Sequence, residues 1–331
     1  MKEKDLADNT LEFSEGDLAQ TRRFNRKLAW LPRFRIRNRL TPRLIQALLR
    51  VSQMVSKDKP VKHGLQVQST VVHSLATSVP VRILRPQGKP QGVVLDYHGG
   101  GWVIGNAQMN DGLNIAMVKA CNVAVVSVDY RLAVTSPVED LLEDCLCAAR
   151  WLLSDDCAEF TGLPVIVVGE SAGAHLAAAT LLALKSAPGS LQRVCGALLY
   201  YGVYDLAGTP SVHAASAETL VLDGPGMAQA LRLLTPGLSD EQRRQAPLSP
   251  LYGDFSELPP ALMFTGELDP LRDDTLELAE RWQQSAPVEV HLLPSSAHGF
   301  IHFPTNMASR VLAYSRMWIS RQIAAKTSVS A

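Results

Sequence analysis

Four short stretches of the chain carry residue types that together could run acyl transfer. Gly169-Glu170-Ser171-Ala172-Gly173 follows an apolar run, VIVV, and opens an alanine-rich one, AHLAAATLLALKSA. A serine held in a sharp strand-to-helix turn between glycines has its hydroxyl projected at a helix start, where the dipole favours developing negative charge. The pentapeptide alone is just as often a packing motif; the strand–turn–helix setting is what favours a nucleophile. His98-Gly99-Gly100-Gly101-Trp102 follows a second apolar run. Three consecutive glycines leave backbone N–H groups unobstructed, and such a concave loop can receive the oxyanion of a tetrahedral intermediate. The plainer readings are a flexible turn or a phosphate loop. The second is disfavoured because neither Gly-Lys-Ser/Thr nor Gly-x-Gly-x-x-Gly follows.

The remaining two stretches supply an acid and a base. Asp269 stands in FTGELDPLRDD and His298 in SSAHGF, each just past a strand-like run. Strand ends of a parallel sheet lie together, so both side chains can converge on the serine. Asp273 and Asp274 compete for the acid role, but they fall in the first turn of a helix, where aspartate is favoured by the dipole alone. Among the histidines, His291 lies within a strand, and His302 is the main rival to His298. Gly299 beside His298 suits a mobile base better.

The elements needed to hold these groups alternate along the chain. Strand-like runs at 65–73 and 79–84 are followed by strands at 92–97, 123–129, 164–168, 195–201, 261–266 and 288–293. Helical patterns at 108–120, 138–153, 172–186, 271–284 and near 305–324 lie between and after them. Nearly continuous apolar strands between helices predict an α/β fold with a mostly parallel sheet buried on both faces. Residues 1–60 read as helical, with Thr41-Pro42 as an N-cap and first helical position and an apolar repeat at Leu44, Ile45, Leu48, Leu49 and Val51. Residues 206–250 break the alternation with small, polar and Gly-Pro-Gly stretches, as a lid or cap does. The expected division is therefore 1–60 as the N-terminal part of a helical cap, 61–205 and 251–331 as the two parts of the core, and 206–250 as a cap insertion.

Composition sets the outer bounds. The chain has 331 residues, of which 47% are hydrophobic and 19% charged, and its formal net charge is zero. Nothing in that balance attracts nucleic acid. The five cysteines fit neither a disulfide framework nor a zinc site, and their apolar surroundings suggest buried thiols in a reducing compartment. The N-terminus has no apolar signal region, and no run is long enough to span a membrane, so a cytoplasmic location is expected. Charge is uneven, however. Residues 21–62 hold thirteen Lys or Arg against one acid, a local balance of +12. The plain interpretation is a solvated face of a cap. The sharper one is weak contact with an anionic membrane surface, because Leu28, Trp30, Leu31, Phe34, Ile36 and Leu40 are interleaved with the arginines.

The combination of HGGGW at 98–102, DYRLA at 129–133, GESAG at 169–173, DPLRDD at 269–274 and HGF at 298–300 resembles the hormone-sensitive-lipase-like branch of the α/β-hydrolases, over about residues 60–325. The resemblance implies an α/β-hydrolase fold with an eight-stranded, mostly parallel sheet flanked by helices and covered by a helical cap. It implies a serine carboxylesterase acting on short or medium acyl chains, without metal or organic cofactor. Ser171, Asp269 and His298 would form the catalytic triad, and Gly99, Gly100 and Ala172 the oxyanion hole. A homodimer is a further implication. Two positions depart from the family pattern. Glu170 stands where aspartate is usual, which alters local hydrogen bonding. DYRLA continues as VTSPVEDLLEDC instead of Pro-Glu, so the following loop is expected to differ in shape. Amide or lactone hydrolysis by the same triad is the nearest alternative activity. A ligand-binding protein that has lost catalysis is a more distant one, since such proteins usually lack a triad member.

Overall fold

The computed structural model describes residues 11–36, 40–56 and 58–330. Eight strands form one sheet: β1 (Gln66–His73), β2 (Ser78–Arg85), β3 (Gly92–Tyr97), β4 (Val123–Val128), β5 (Val165–Glu170), β6 (Val194–Tyr200), β7 (Ala261–Gly266) and β8 (Val288–Leu293). Their spatial order is β1-β2-β4-β3-β5-β6-β7-β8. β2 runs antiparallel to both β1 and β4, and the other neighbours are parallel. Every residue of β3, β4, β5, β6 and β7 is buried. That is why these strands read as unbroken apolar runs and not as alternating ones.

Successive side chains still point to opposite faces. Val93, Leu95 and Tyr97 join one core, with α5 (Val138–Leu153), α6 (Ala172–Leu184) and α10 (Arg272–Trp282). Val94 joins the second core on the other face, covered by α4 (Asp111–Cys121) and α11 (Asn306–Ser330). All five cysteines are free and buried in these layers. Burial pushes their thiols above the ordinary range, with Cys195 at about 12. Most element ends fall within two residues of the sequence expectation. Helix α4 starts later than position 108 because residues 106–111 first make tight turns, Met109 N–H to Asn106 O at 3.0 Å and Asp111 N–H to Gln108 O at 3.1 Å. Helix α11 runs on to Ser330.

The N-terminal region holds α1 (Glu15–Leu28), α2 (Leu40–Ser56) and the single turn α3 (Lys59–Lys62). The expected N-cap at Thr41 is displaced: α2 already begins at Leu40, so Thr41 and Pro42 lie in its first turn. Ser14 caps α1 in a reciprocal box with Asp17. Asp17 in turn binds Arg310 at 3.1 Å and the Asn306 amide at 2.9 Å, which ties α1 to α11. After α1 the chain turns at residues 29–31 and leads to Phe34. Phe34 donates to Val221 O at 2.6 Å and accepts from Asp223 N–H at 3.1 Å, so this segment pairs with residues of 206–250. That later stretch folds into short helices, α7 (Pro210–His213), α8 (Met227–Leu234) and α9 (Asp240–Arg243).

Helix α2 has an unusual orientation. Its inward residues include Gln46 and Gln53. Gln46 exchanges two 2.8 Å hydrogen bonds with Gly105, and Gln53 pairs with Asn106 at 2.9 and 2.6 Å. Of its apolar repeat, Ile45 and Leu49 are half-buried, while Leu44, Leu48 and Val51 are 62% to 65% exposed. The polar face is inside and an apolar face is outside, the reverse of an ordinary surface helix.

Candidate active site

The sharp turn expected at Ser171 is present. β5 ends at Glu170, α6 begins at Ala172, and Ser171 between them has φ 53° and ψ −120°. A left-handed φ on a non-glycine residue is costly and persists only where the surroundings enforce it. Here the Ser171 N–H donates to Tyr200 O on β6 at 2.8 Å, and its carbonyl accepts from Ala174 N–H at 3.0 Å. Close approach sets the flanking residue types. A Cβ on Gly173 would overlap the carbonyl oxygens of Tyr97 and His98, so only glycine lets the start of α6 meet the end of β3.

Ser171, His298 and Asp269 come together as one hydrogen-bonded line. The Ser171 hydroxyl donates to His298 Nε2 at 2.9 Å, and His298 Nδ1–H donates to Asp269 Oδ2 at 2.8 Å. The other Asp269 oxygen accepts the Leu271 N–H at 2.9 Å, which fixes the carboxylate after β7. His298 stands on the loop after β8, with Gly299 at φ 77° behind it. The Tyr201 ring meets the imidazole edge-on, with ring centroids 4.7 Å apart.

The glycine loop follows β3. Gly100, Gly101 and Trp102 have φ of 108°, 59° and 62°, a run of left-handed backbone that folds the loop back on itself. Among the described residues, the N–H groups of Gly99, Gly100 and Ala172 donate to no backbone carbonyl outside helices and strands. Two histidines brace this loop: His98, the first residue of its motif, and His175, which no sequence signal singled out. Trp102 Nε1–H donates to His175 Nδ1 at 3.2 Å, while His175 Nε2–H donates to Leu248 O at 2.7 Å. His98 Nδ1–H donates to Gly99 O at 2.7 Å. Burial lowers both imidazoles to about 4, so both are neutral at neutral pH. Arg131 of the DYRLA run is clamped by Asp144 through two 2.9 Å contacts and by Asp140 at 2.9 Å, which holds the altered loop to α5.

The competing residues go elsewhere. Asp274 accepts from the N–H groups of Tyr204 and Asp205 at 2.6 and 3.0 Å and from the Thr209 hydroxyl at 2.5 Å. It anchors the start of the 206–250 stretch. His302 Nε2–H donates to Glu170 Oε2 at 2.6 Å, and the Tyr201 hydroxyl donates to the same oxygen at 2.8 Å. The only hint of that contact in the sequence is the coincidence of Glu170 in place of aspartate and a histidine four residues after His298.

A cavity of about 370 Å³ opens above Ser171. Its walls are mainly apolar: Phe34 from the N-terminal segment, Trp102 from the glycine loop, and Leu222, Met227 and Leu231 from the 206–250 stretch. Among the described residues, no group of three His, Cys, Asp or Glu side chains is arranged to hold a metal ion.

Residues 94–302 match the profile of the α/β-hydrolase-fold family. A carboxylesterase, NlhH, of Mycobacterium tuberculosis is 34% identical over 243 residues, which covers 71% of this chain and 75% of that protein. The crystal structure of esterase LipW from Mycobacterium marinum superposes with a TM-score of 0.78 at 28% identity, over 90% of this chain and 95% of that one. A hormone-sensitive lipase from a metagenome library shares the fold, with a TM-score of 0.73 at 24% identity over 92% of this chain and 98% of its own. With the serine turn, the glycine loop and the Ser171–His298–Asp269 line in one site, the chain belongs to the α/β-hydrolase-fold family.

Proposed function

We propose that this protein is a serine carboxylesterase that works through an acyl-enzyme. The observation that carries the proposal is the unbroken line from carboxylate to imidazole to hydroxyl, at 2.8 and 2.9 Å, on the floor of an apolar cavity. His298 Nε2 takes the Ser171 proton as Oγ attacks the ester carbonyl. Asp269 holds the Nδ1–H tautomer and stabilises the imidazolium that forms. The N–H groups of Gly99, Gly100 and Ala172 receive the oxyanion, and each such donor is worth about 100- to 1,000-fold in turnover. Protonated His298 then gives its proton to the leaving alcohol. Water, activated by the same imidazole, attacks the acyl-enzyme, releases the carboxylic acid and restores the Ser171 hydroxyl.

The cavity volume suits short- to medium-chain acyl groups. A panel of p-nitrophenyl esters from acetate to palmitate tests both points: turnover should peak at short or medium length and vanish in Ser171→Ala. Turnover or organophosphate labelling that survives in that variant would place the nucleophile elsewhere.

The 1–60 and 206–250 segments act in this reading as two pieces of one cap over the core pieces 61–205 and 251–331. The backbone pairing of Phe34 with Val221 and Asp223 supports this, as does their joint lining of the cavity. The reversed face of α2 favours weak contact with an anionic membrane surface. Its exposed Leu44, Leu48 and Val51 adjoin exposed Arg43 and Arg50 in the segment of +12 charge. Among the described residues, no helix is long and apolar enough to cross a membrane. Phosphatidylglycerol vesicles should sediment the protein at low salt but not at high salt, and Leu48→Glu should release it; equal binding to neutral vesicles, or none at low salt, removes the idea. A homodimer, with the exposed Val290 and Leu292 of the edge strand β8 as its seat, would register in light scattering as twice the chain mass. Five buried, unbridged cysteines accord with work in the cytoplasm.

A further inference from the structure

One buried carboxylate beside the nucleophile has no part in the scheme above. The Glu170 side chain is 5% exposed at the end of β5 and touches three parts of the site. The first is the glycine loop: a Cβ on Gly99 would lie 3.2 Å from Glu170 Cγ. The second is Tyr201, whose hydroxyl donates to Oε2 and whose ring stands against His298. The third is His302, whose Nε2–H donates to the same Oε2 at 2.6 Å. His302 ends the 3-10 turn Phe300–His302, and its N–H bonds to Gly299 O at 3.0 Å, so it belongs to the segment that carries the base. An aspartate at 170 would be shorter by about 1.5 Å, one carbon–carbon bond, and would lose that contact.

We propose that Glu170 and His302 are positioning residues for ester cleavage, a pair that holds residues 298–302, and with them His298, at a fixed distance from Ser171. The proposal rests on the triad reading given above. Near-attack geometry is sensitive, since a misplacement of about 1 Å can cost about 100-fold in rate.

The charges around Glu170 give the pair a distinctive signature. Burial works to raise the Glu170 carboxyl, but the His302 charge and hydrogen bonds from His302, Tyr201 and Asn110 outweigh it and hold the group at about 2. In return the Glu170 charge lifts His302 above its ordinary value. The other titratable neighbours are His98 on the glycine loop, Asp96 on β3 and the phenols of Tyr130, Tyr200 and Tyr201. Burial keeps His98 at about 4 and lifts Asp96 to about 6, and burial raises all three phenols. As pH rises through the raised His302 value, His302 is therefore the group in this set that changes charge. The ion pair is intact below its raised value and loses its positive member above it, so turnover should decline there.

The test measures alcohol release from a short-chain alkyl ester as a function of pH for wild type, His302→Gln and His302→Ala, with thermal melting as a check on folding. The wild-type kcat should fall as pH rises through the raised His302 value. His302→Gln keeps an amide donor that does not titrate; it should lose that limb and keep kcat within about threefold at neutral pH. His302→Ala should lower kcat about 10- to 100-fold with little change in KM. Added imidazole should restore part of it, because the His302 side chain is 42% exposed and its vacated site is open to solvent. Wild-type kcat and an unchanged pH profile in both variants would overturn the proposal, as would a loss in His302→Ala that falls on KM and resists imidazole. Ser171→Ala, run alongside, separates the two readings. If it retains turnover the triad assignment fails, and if it abolishes turnover while the His302 variants behave as wild type, only the positioning role fails.

Discussion

The floor and the roof of the site are built on opposite principles. The floor stands on wholly buried parallel strands, where each reacting group leaves a strand end and is fixed by backbone hydrogen bonds: Ser171 to Tyr200, Asp269 to Leu271. The roof is assembled from segments far apart in sequence, joined by one short backbone pairing at Phe34 and by side-chain contacts such as Arg33 to Thr219. On the function proposed above, the floor carries the chemistry and the roof selects the acyl group.

That contrast can be broken at several places. The largest effect should come from the floor. Asp269→Asn leaves the shape intact but favours the wrong imidazole tautomer, and kcat should drop about 10,000-fold on every ester, with KM little changed. A loss restricted to long-chain esters would mean that Asp269 acts through the roof instead. A smaller, selective effect should come from the roof. Leu231→Trp fills the cavity wall, so turnover of medium-chain esters should fall about 10-fold or more while acetate esters are spared. Equal losses on both would show that the roof also shapes the reacting geometry.

The smallest effect lies at the joint between the two. Burial, aided by the nearby Asp205 charge, pushes the Asp274 carboxyl up to about 7 against the hydrogen bonds from Thr209, Tyr204 and Asp205. Because its folded value exceeds its unfolded one, the folded state binds more protons. The resulting stability is complete below the unfolded value of about 4 and is lost as pH rises towards 7. Melting temperatures of wild type and Asp274→Asn should therefore differ in their pH dependence across that window, with the wild type losing ground as pH climbs. Parallel curves would show that Asp274 stays ionised throughout.

Much of the floor was legible in the sequence because each of its parts is local. A serine turn announces itself through Gly169 and Gly173, the glycine loop through three adjacent residues, and each strand through an apolar run. Asp269 and His298 then follow at the ends of successive strands. The roof was legible only as an interruption. Nothing periodic marks the pairing of Phe34 with Leu222, and the apolar repeat of α2 gave no warning that its glutamines would face inward. The Glu170–His302 contact spans 132 positions and depends on two side chains whose types are individually ordinary. His175 likewise sits in an alanine-rich helix and gains its role only when the fold brings Trp102 and Leu248 to its two nitrogens.

The burial of all five thiols has a practical consequence. With every native thiol enclosed and held away from its reactive thiolate form, thiol-alkylating reagents at neutral pH find no ready target on the folded protein. A single cysteine introduced at an exposed position such as Leu48 would then take up a fluorophore or spin label selectively, and would report whether the roof moves during turnover against a silent background.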